Sequence, residues 1–394
     1  MINVIGLGYI GLPTALMFAT HGVEVIGTDL NKELVETLRA DKTTFKEEGL
    51  DDLFSDALKA GITFTTEYQP TDTYIVSVPT PYDKDSKKID PTYVVNAVEQ
   101  VLDVAPFGAV VVIESTVSPG TIDKYVRPVV EEKGLSVGID IHLVHAPERI
   151  IPGNMVSELT HNNRTIGADD EEIGERIKNL YSSFCQGEIA VTDIRTAEMT
   201  KVVENTFRDI NIAFANELAK ICRSDDMDVY EIIRIANKHP RVNILTPGPG
   251  VGGHCIAVDP WFIHEKFEDI TPLIYEARLV NDGKPAWTAD RIARDVKPGA
   301  KIAVLGMSFK ANIDDTRESP SVLFANILKS RGYEVLACEP YIQGDVAGYH
   351  NYSLAEAMAQ CEYAVITLMH NVFKENKALI ASRPYYDCVG LMEQ

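Results

Sequence analysis

Asn3-Val4-Ile5-Gly6-Leu7-Gly8-Tyr9-Ile10-Gly11, continued by Leu12 to His21 and then by Glu24-Val25-Ile26-Gly27-Thr28-Asp29, is the stretch on which the fold turns. The first β-branched run predicts a strand, Leu12 to His21 has helical spacing, and the second run predicts another strand. A G-x-G-x-x-G between strand and helix is informative because each glycine has a mechanical task. Gly6 permits the tight turn, Gly8 lets the backbone approach a pyrophosphate, and Gly11 allows close helix–sheet packing, with Tyr9 and Ile10 completing the turn. A pyrophosphate would rest on the helix N-terminus, where unpaired N–H groups and the helix dipole favour an anion. Asp29 ends the second strand, where a carboxylate binds a ribose 2′-hydroxyl and repels a 2′-phosphate. The expected cofactor is NAD rather than NADP.

Outward from this unit the alternation continues. Leu34 to Ala40 is helical in pattern, while Tyr74 to Val78 and Ala109 to Ile113 are apolar strand candidates. Apolar strands separated by helices imply a doubly wound parallel α/β sheet covered on both faces. Pro79-Thr80-Pro81 and Glu114-Ser115-Thr116 follow two of these strands at their carboxyl ends, where ligands bind in open sheets. Thr80 and Thr116 are candidates to line a nicotinamide ribose, although ordinary turn or cap hydroxyls account for them equally well. Ile141 to Val144 leads into Ala146-Pro147-Glu148-Arg149-Ile150; Glu148 is a candidate general base and Arg149 a candidate clamp, with surface charges as the alternative.

From Thr196 to about Arg223 there is neither Pro nor Gly, and Val202, Val203, Phe207, Ile210, Phe214, Leu218 and Ile221 recur at helical spacing. This predicts a long central helix, a spine between domains and a dimer face. Lys201, Asn205 and Arg208 are spaced by four and three, which places them on one side of that helix. Such side chains can converge on an oxyanion and a phosphate; a solvated face paired with Glu198 and Glu204 is the alternative. A second αβ block starts near Lys297, with strands at Lys301 to Gly306, Val335 to Ala337 and Ala364 to Thr367. It has Gly306 but no glycine triplet, so it suits a nucleotide-sized pocket. Three domains are expected: a Rossmann-like one over 1–190, a helical one over 191–290 and a second Rossmann-like one over 291–394.

Composition limits what such a chain can do. Its 394 residues carry a net charge of −21, which argues against nucleic acid as a partner, because neutralising phosphates needs a basic face. No apolar run approaches the roughly 20 residues of a membrane helix, and no basic-then-apolar leader precedes the first strand. The six cysteines are scattered without a C-x-x-C pair, so neither zinc nor a redox dithiol is expected. The expectation is a reduced, cytoplasmic protein without a metal.

One of those cysteines stands apart. Thr246-Pro247-Gly248-Pro249-Gly250-Val251-Gly252-Gly253-His254-Cys255 sets a thiol beside backbone N–H groups able to hold an anion and favour a thiolate, with Asp259 four residues on. An isolated cysteine is ordinarily an inert core residue, and Cys185, Cys222, Cys338, Cys361 and Cys388 read that way. Phe309-Lys310 and Asp315-Thr316-Arg317-Glu318-Ser319-Pro320 follow the first strand of the second block, where basic groups suit a diphosphate or uridine.

In this order, the motifs resemble the UDP-glucose/GDP-mannose dehydrogenase family over essentially the whole chain. The marks are Gly6 to Gly11 with Asp29, Val78-Pro79-Thr80-Pro81, Glu114 to Gly120, Pro147-Glu148-Arg149, Thr196-Ala197-Glu198, Lys201, Asn205, Gly252 to Cys255, Asp259 and Asp315 to Pro320. The resemblance implies an N-terminal NAD domain, a helical dimerisation core and a C-terminal UDP domain. It also implies a four-electron oxidation of a UDP-sugar C6 alcohol to a carboxylate, with a place in polysaccharide biosynthesis. In this picture Cys255 is the nucleophile, Lys201 and Asn205 stabilise oxyanions and relay protons, and Asp259 and Glu148 position or activate water. Arg317 matches an arginine that contacts NAD. Arg241, in His239-Pro240-Arg241, matches one that reaches the substrate of the neighbouring subunit in a homodimer. Substrate contacts are implied at Glu148, Arg149, Ile150, Lys201, Asn205, Arg208, His239, Arg241, Gly252, Phe309 and Lys310.

The runs Glu204 to Asn211, His239 to Asn243 and Ala257-Val258-Asp259-Pro260-Trp261 are similar to the N-acetyl-amino-sugar branch, UDP-N-acetylmannosamine first and UDP-N-acetylglucosamine next. The glucose and mannose branches usually have Cys-Phe/Leu-Pro-Lys-Asp at the nucleophile, and the glucose branch a glutamate where Pro152 stands. One departure is the end: Asp387-Cys388-Val389-Gly390 lacks the basic or amide residue usual in the family. Two other functions compete. A two-electron dehydrogenase of the hydroxyacid type would share the first domain and long helix without needing a cysteine. A non-catalytic nucleotide-sugar or NAD sensor would not need Lys201, Asn205, Cys255 and Asp259 together.

Overall fold

A computed structural model describes every residue of the chain except 84, 85, 151, 152, 254 and 394. The strand that opens the sequence, β1 (Ile2–Ile5), is buried along its whole length and lies inside a sheet, as an apolar run without alternation requires. It pairs in parallel with β2 (Val25–Thr28) on one side and with β4 (Thr73–Val76) on the other. The remaining strands are β3 (Thr63–Thr65), β5 (Ala109–Ile113), β6 (Ile141–His145), β7 (Arg164–Ala168) and β8 (Ile189–Thr192). Together they form one eight-stranded sheet in the order β3-β2-β1-β4-β5-β6-β7-β8. Strand order reverses between β1 and β4, and the crevice beyond their carboxyl ends is where open α/β sheets bind ligands.

The sheet departs from the all-parallel expectation at one joint. β6 and β7 run antiparallel, with Val144 opposite Ala168 and His145 opposite Gly167. Residues 146–163, which include the short helix Met155–His161, connect these two strands. β7 and β8 are again parallel to each other. The helix Gly11–Thr20 buries every residue but its last, and Leu12, Leu16 and Phe18 join the core that fills the sheet.

The long helix runs from Ile194 to Ser224, two residues earlier and one later than its spacing predicts. Asp193 sets its start, accepting from the Thr196 N–H at 2.9 Å as an N-cap. The chain divides into two compact units, Met1–Val203 and Glu204–Gln394, and the division falls within this helix. In the second unit, β9 (Lys301–Leu305), β10 (Glu334–Cys338), β11 (Tyr363–Ile366) and β12 (Tyr385–Asp387) form a parallel sheet in the order β10-β9-β11-β12. Apolar clusters cover both of its faces. Among the described residues, no helix is long and apolar enough to cross a membrane.

Candidate active site

The first half of the chemistry gathers at the crevice of the eight-stranded sheet. Gly6 has φ +88°, and a Cβ there would sit 2.5 Å from the Ser77 carbonyl oxygen; a Cβ on Gly11 would sit 1.9 Å from the Gly6 oxygen. These two glycines are therefore demanded by the fold itself. Gly8 differs, since a Cβ on it would meet nothing within 4 Å. Its missing side chain leaves room on the outer side of the turn, as a closely approaching pyrophosphate needs. The Gly11–Thr20 helix has no side-chain cap and no acidic residue in its first turn, so its N-terminal N–H groups keep their pull on an anion. Asp29 accepts from Leu7 N at 2.8 Å through Oδ2 and from Asn31 N at 2.8 Å through Oδ1. That fixes the carboxylate beside the glycine turn with further lone pairs for ribose hydroxyls. Tyr9 is half exposed, its ring 4.4 Å from that of Phe45, and Ile10 is partly buried. These residues fit NAD.

Thr80 and Thr116, distant in sequence, are brought together: the Thr80 hydroxyl donates to the Thr116 carbonyl at 2.8 Å. The Ser115 hydroxyl donates to the Val78 carbonyl at 2.7 Å, so the loops after β4 and β5 are tied side by side.

Glu148 is not the surface charge that sequence leaves open. It is buried, forms an ion pair with buried Arg164, and accepts from the Arg149 N–H at 2.7 Å. The antiparallel joint explains the pairing, because continuing its register by three residues puts residue 148 opposite residue 164. Arg149 donates to the Thr165 hydroxyl at 3.0 Å. Ile150 is buried beside it in sequence. Glu114 also joins Arg164, 4.0 Å away, and accepts from the Tyr181 hydroxyl at 2.9 Å. Burial, then the nearby Glu148 charge, pushes its carboxyl up to about 7.

On the long helix, burial separates the predicted trio. Lys201 and Asn205 are buried, whereas Arg208 is exposed. The solvated-face alternative fails at Glu198, which is buried and accepts from Gly120 N at 2.6 Å and Ile122 N at 3.0 Å. Its carboxylate holds the turn that follows β5.

The second unit builds the surroundings of Cys255. This thiol is exposed while the other five are buried, as the inert reading of those five requires. The Cys255 carbonyl accepts from Val258 N at 3.0 Å and Asp259 N at 2.8 Å, so the nucleophile candidate stands one turn before the helix Asp259–Lys266. Asp259 is buried at the first position of that helix and accepts from Asn205 Nδ2 at 2.6 Å. Asn205 and Asp259 thus form a single unit. His254 lies outside the described residues.

The glycines before Cys255 serve packing first. A Cβ on Gly252 would sit 2.3 Å from the Glu318 carbonyl oxygen, and one on Gly253, at φ +84°, would sit 3.0 Å from the Phe309 ring. They let the loop lie directly on the Asp315–Pro320 segment and on Phe309. Polar residues of the long helix hold the other end. Asn216 accepts from Gly248 N at 2.9 Å and donates to Asn281 at 2.9 Å; Asn281 donates to Asp209 at 2.8 Å, and Arg278 pairs with Asp209 at 2.5 Å. Burial pushes the Asp209 carboxyl up despite Arg278. Sequence reasoning missed this chain, although Asp209, Asn216 and Asn281 are unusual among apolar helical neighbours.

Lys310 is exposed and Phe309 partly so. Arg317 is exposed, and its guanidinium pairs with Asp315 at 2.6 Å. His239 and Arg241 are exposed in a turn closed by Arg241 N donating to His239 Nδ1 at 3.3 Å. At the end of the chain, Asp387 accepts from the N–H groups of Val389, Gly390 and Met392 at 2.8 to 2.9 Å. Arg223 donates to the Asp387 carbonyl at 3.3 Å and lies over the Tyr386 ring.

Comparison with known proteins agrees with this arrangement domain by domain. Residues 1–185 match the NAD binding domain of the UDP-glucose/GDP-mannose dehydrogenase family, 195–283 its central domain and 303–394 its UDP binding domain. A UDP-N-acetyl-D-mannosamine dehydrogenase of Methanocaldococcus jannaschii is 42% identical, with 95% of this chain and 86% of that protein aligned. An NDP-N-acetyl-D-galactosaminuronic acid dehydrogenase of Ralstonia solanacearum is 41% identical over 99% of this chain and 96% of that one. The solved UDP-N-acetyl-mannosamine dehydrogenase of Staphylococcus aureus superposes with a TM-score of 0.87 at 37% identity, covering 100% of this chain and 99% of its own. The chain belongs to the UDP-glucose/GDP-mannose dehydrogenase family, NAD-dependent enzymes that oxidise nucleotide sugars.

Proposed function

We propose that this enzyme oxidises the C6 alcohol of a UDP-N-acetylhexosamine, UDP-N-acetyl-D-mannosamine by preference, to the uronate through a covalent bond to Cys255. One observation carries the reading. The exposed thiol stands one turn ahead of a buried Asp259 that is hydrogen-bonded to Asn205. An inert cysteine needs neither exposure nor a fixed acid–amide pair beside it.

The overall change converts alcohol, two NAD⁺ and water into carboxylate, two NADH and three protons. NAD, when bound, accepts a hydride at each oxidation. Lys201, buried on the long helix, serves as the cation that stabilises the alkoxide. The Cys255 thiolate adds to the aldehyde carbon, giving a tetrahedral thiohemiacetal that keeps a hydrogen to lose as hydride. This addition also prevents release of the aldehyde. Asn205 Nδ2 offers a hydrogen bond to the developing oxyanion. Asp259 and Glu148 then orient the water that cleaves the thioester and take up its proton. Arg149, Ile150, Arg208, Gly252, Phe309 and Lys310 are assigned to the UDP-sugar, and Thr80, Thr116 and Arg317 to NAD. Arg241, exposed with His239 in its turn, is assigned to a neighbouring subunit's substrate in a homodimer.

The choice of sugar is supported by relatives that act on N-acetylated nucleotide sugars. Ala257, Val258 and Trp261, which mark that branch, are buried. A panel of purified UDP- and GDP-sugars, read by NADH absorbance, tests the choice. Turnover of UDP-N-acetylmannosamine well above UDP-glucose is expected, and faster oxidation of UDP-glucose would overturn it. Mass spectrometry of acid-quenched enzyme tests the covalent step: a sugar adduct on the peptide carrying Cys255 is expected.

A further inference from the structure

Glu114, Glu148 and Arg164 form a buried group with two acids and one base. All three are at most 7% exposed, and Arg164 lies between the two carboxyls. They come from three adjacent strand ends: Glu114 after β5, Glu148 after β6, and Arg164 at the start of β7. Tyr181 and His145, packed against them, add no compensating charge. The Tyr181 hydroxyl donates to Glu114, and burial, then Glu114 itself, holds that phenol well above its ordinary range. His145 hydrogen-bonds the Ile113 carbonyl at 2.9 Å, and burial pushes its imidazole down to about 4, so it is neutral. The Cys185 thiol is buried near Arg164, whose guanidinium otherwise lies over the Tyr181 and Phe184 rings at 4.6 and 5.4 Å. Arg149 directs its guanidinium to Thr165 and the Asn163 carbonyl. With both acids ionised, the group would hold an uncompensated negative charge away from water, which is costly at this depth. One proton on the carboxyls removes it. Glu114 is the natural holder, since it lies 4.0 Å from Arg164 while Glu148 has the closer contact with that guanidinium.

We infer that Glu114 is a positioning residue that holds this proton, leaving the charge of Arg164 to Glu148, and that ionisation of Glu114 makes the two carboxylates compete for one guanidinium. The inference rests on the assignment of Glu148 to the water-activating step. At the pH where Glu114 is protonated, Arg164 fixes the Glu148 carboxylate in place as an acceptor. When Glu114 loses its proton to solvent, Arg164 is shared and Glu148 is held less firmly, so the hydrolytic step slows. Glu114 never touches the substrate. Its effect belongs in kcat and not in KM for the nucleotide sugar.

Two measurements on the full-length enzyme test this. In the infrared, the wild type should show a protonated-carboxyl band that disappears as the pH rises through neutrality. Glu114→Gln should lack it. Glu148→Gln should lack it too, because Glu114 would then be the sole acid facing Arg164 and would ionise. A band that persists in Glu148→Gln means that burial alone holds the proton, and the sharing is wrong; no band in the wild type at any pH also overturns it. In kinetics, the kcat profile of Glu114→Gln should lose its alkaline limb or move it by more than about one pH unit, whereas KM stays on the wild-type curve. An unchanged limb would overturn the inference. If Glu148→Gln retains wild-type kcat while the infrared results hold, the assignment of Glu148 fails and the shared proton stands.

Discussion

At the scale of single residues, the chemistry depends on side chains whose partners differ from their sequence neighbours. Asn205 and Asp259 are 54 positions apart and meet at 2.6 Å, both buried. Asn205→Ala removes the donor to Asp259 and the proposed oxyanion donor together. The expected result is a fall in kcat of about 10²- to 10³-fold, with KM for the UDP-sugar changing much less; steady-state kinetics at saturating NAD checks it. A kcat within a few-fold of wild type would remove Asn205 from the mechanism. The glycine turn offers a second comparison. A Cβ on Gly8 meets nothing, while a Cβ on Gly11 collides with the Gly6 carbonyl. Gly8→Ala should therefore keep the wild-type melting temperature and lose NAD affinity, whereas Gly11→Ala should lower the melting temperature itself. Calorimetry and NAD titration distinguish the two. Cys255, Lys201, Asn205, Asp259 and the glycines were all legible in the sequence because each sits in a local pattern. Arg164, and the link between Glu114 and Glu148, were not. Both depend on strand register, and the passage from β6 into an antiparallel β7 has no local signature in the residues that make the site.

Among the elements, the long helix Ile194–Ser224 connects the most functions. Its periodic apolar residues made its existence legible, and its ends moved by only one or two residues. What periodicity could not give is which polar residues face inward. Asp209 and Asn216 look like ordinary polar interruptions, yet both are fully buried and anchor the loop that leads to Cys255. Asn216→Ala would leave Gly248 N–H and the Asn281 side chain without this partner. The expected loss is about 1–3 kcal/mol of stability, measured by denaturant unfolding, together with reduced kcat from a loosened loop. Unchanged values for both would mean that the loop is held by its glycine contacts alone. The same helix exposes Val203, Phe207, Phe214 and Ile221. An apolar set of this kind on an otherwise acidic protein suits the proposed dimer. Phe214→Glu should shift the enzyme towards monomer in sedimentation, and activity should fall with it because Arg241 then has no neighbouring site to complete.

For the whole molecule, the parts follow one another along the chain in the order of the family's three domains. A dinucleotide-binding sheet comes first, then a helix carrying Lys201 and Asn205, then the Cys255 loop, and last a smaller parallel sheet whose sequence matches the UDP binding domain of the family. Fold class was legible because strands buried on both faces, a glycine turn and a Pro-free long helix each impose one architecture. Sugar identity was less so, since the residues that mark the N-acetyl branch are buried. The central claim is that Cys255 carries the second oxidation. The direct measurement is the amount of NADH formed per UDP-N-acetylmannosamine consumed, for the wild type and for Cys255→Ser. Two NADH per sugar are expected in the wild type and no completed four-electron turnover in the variant. One NADH per sugar, unchanged by Cys255→Ser, would contradict it and identify a simple two-electron dehydrogenase.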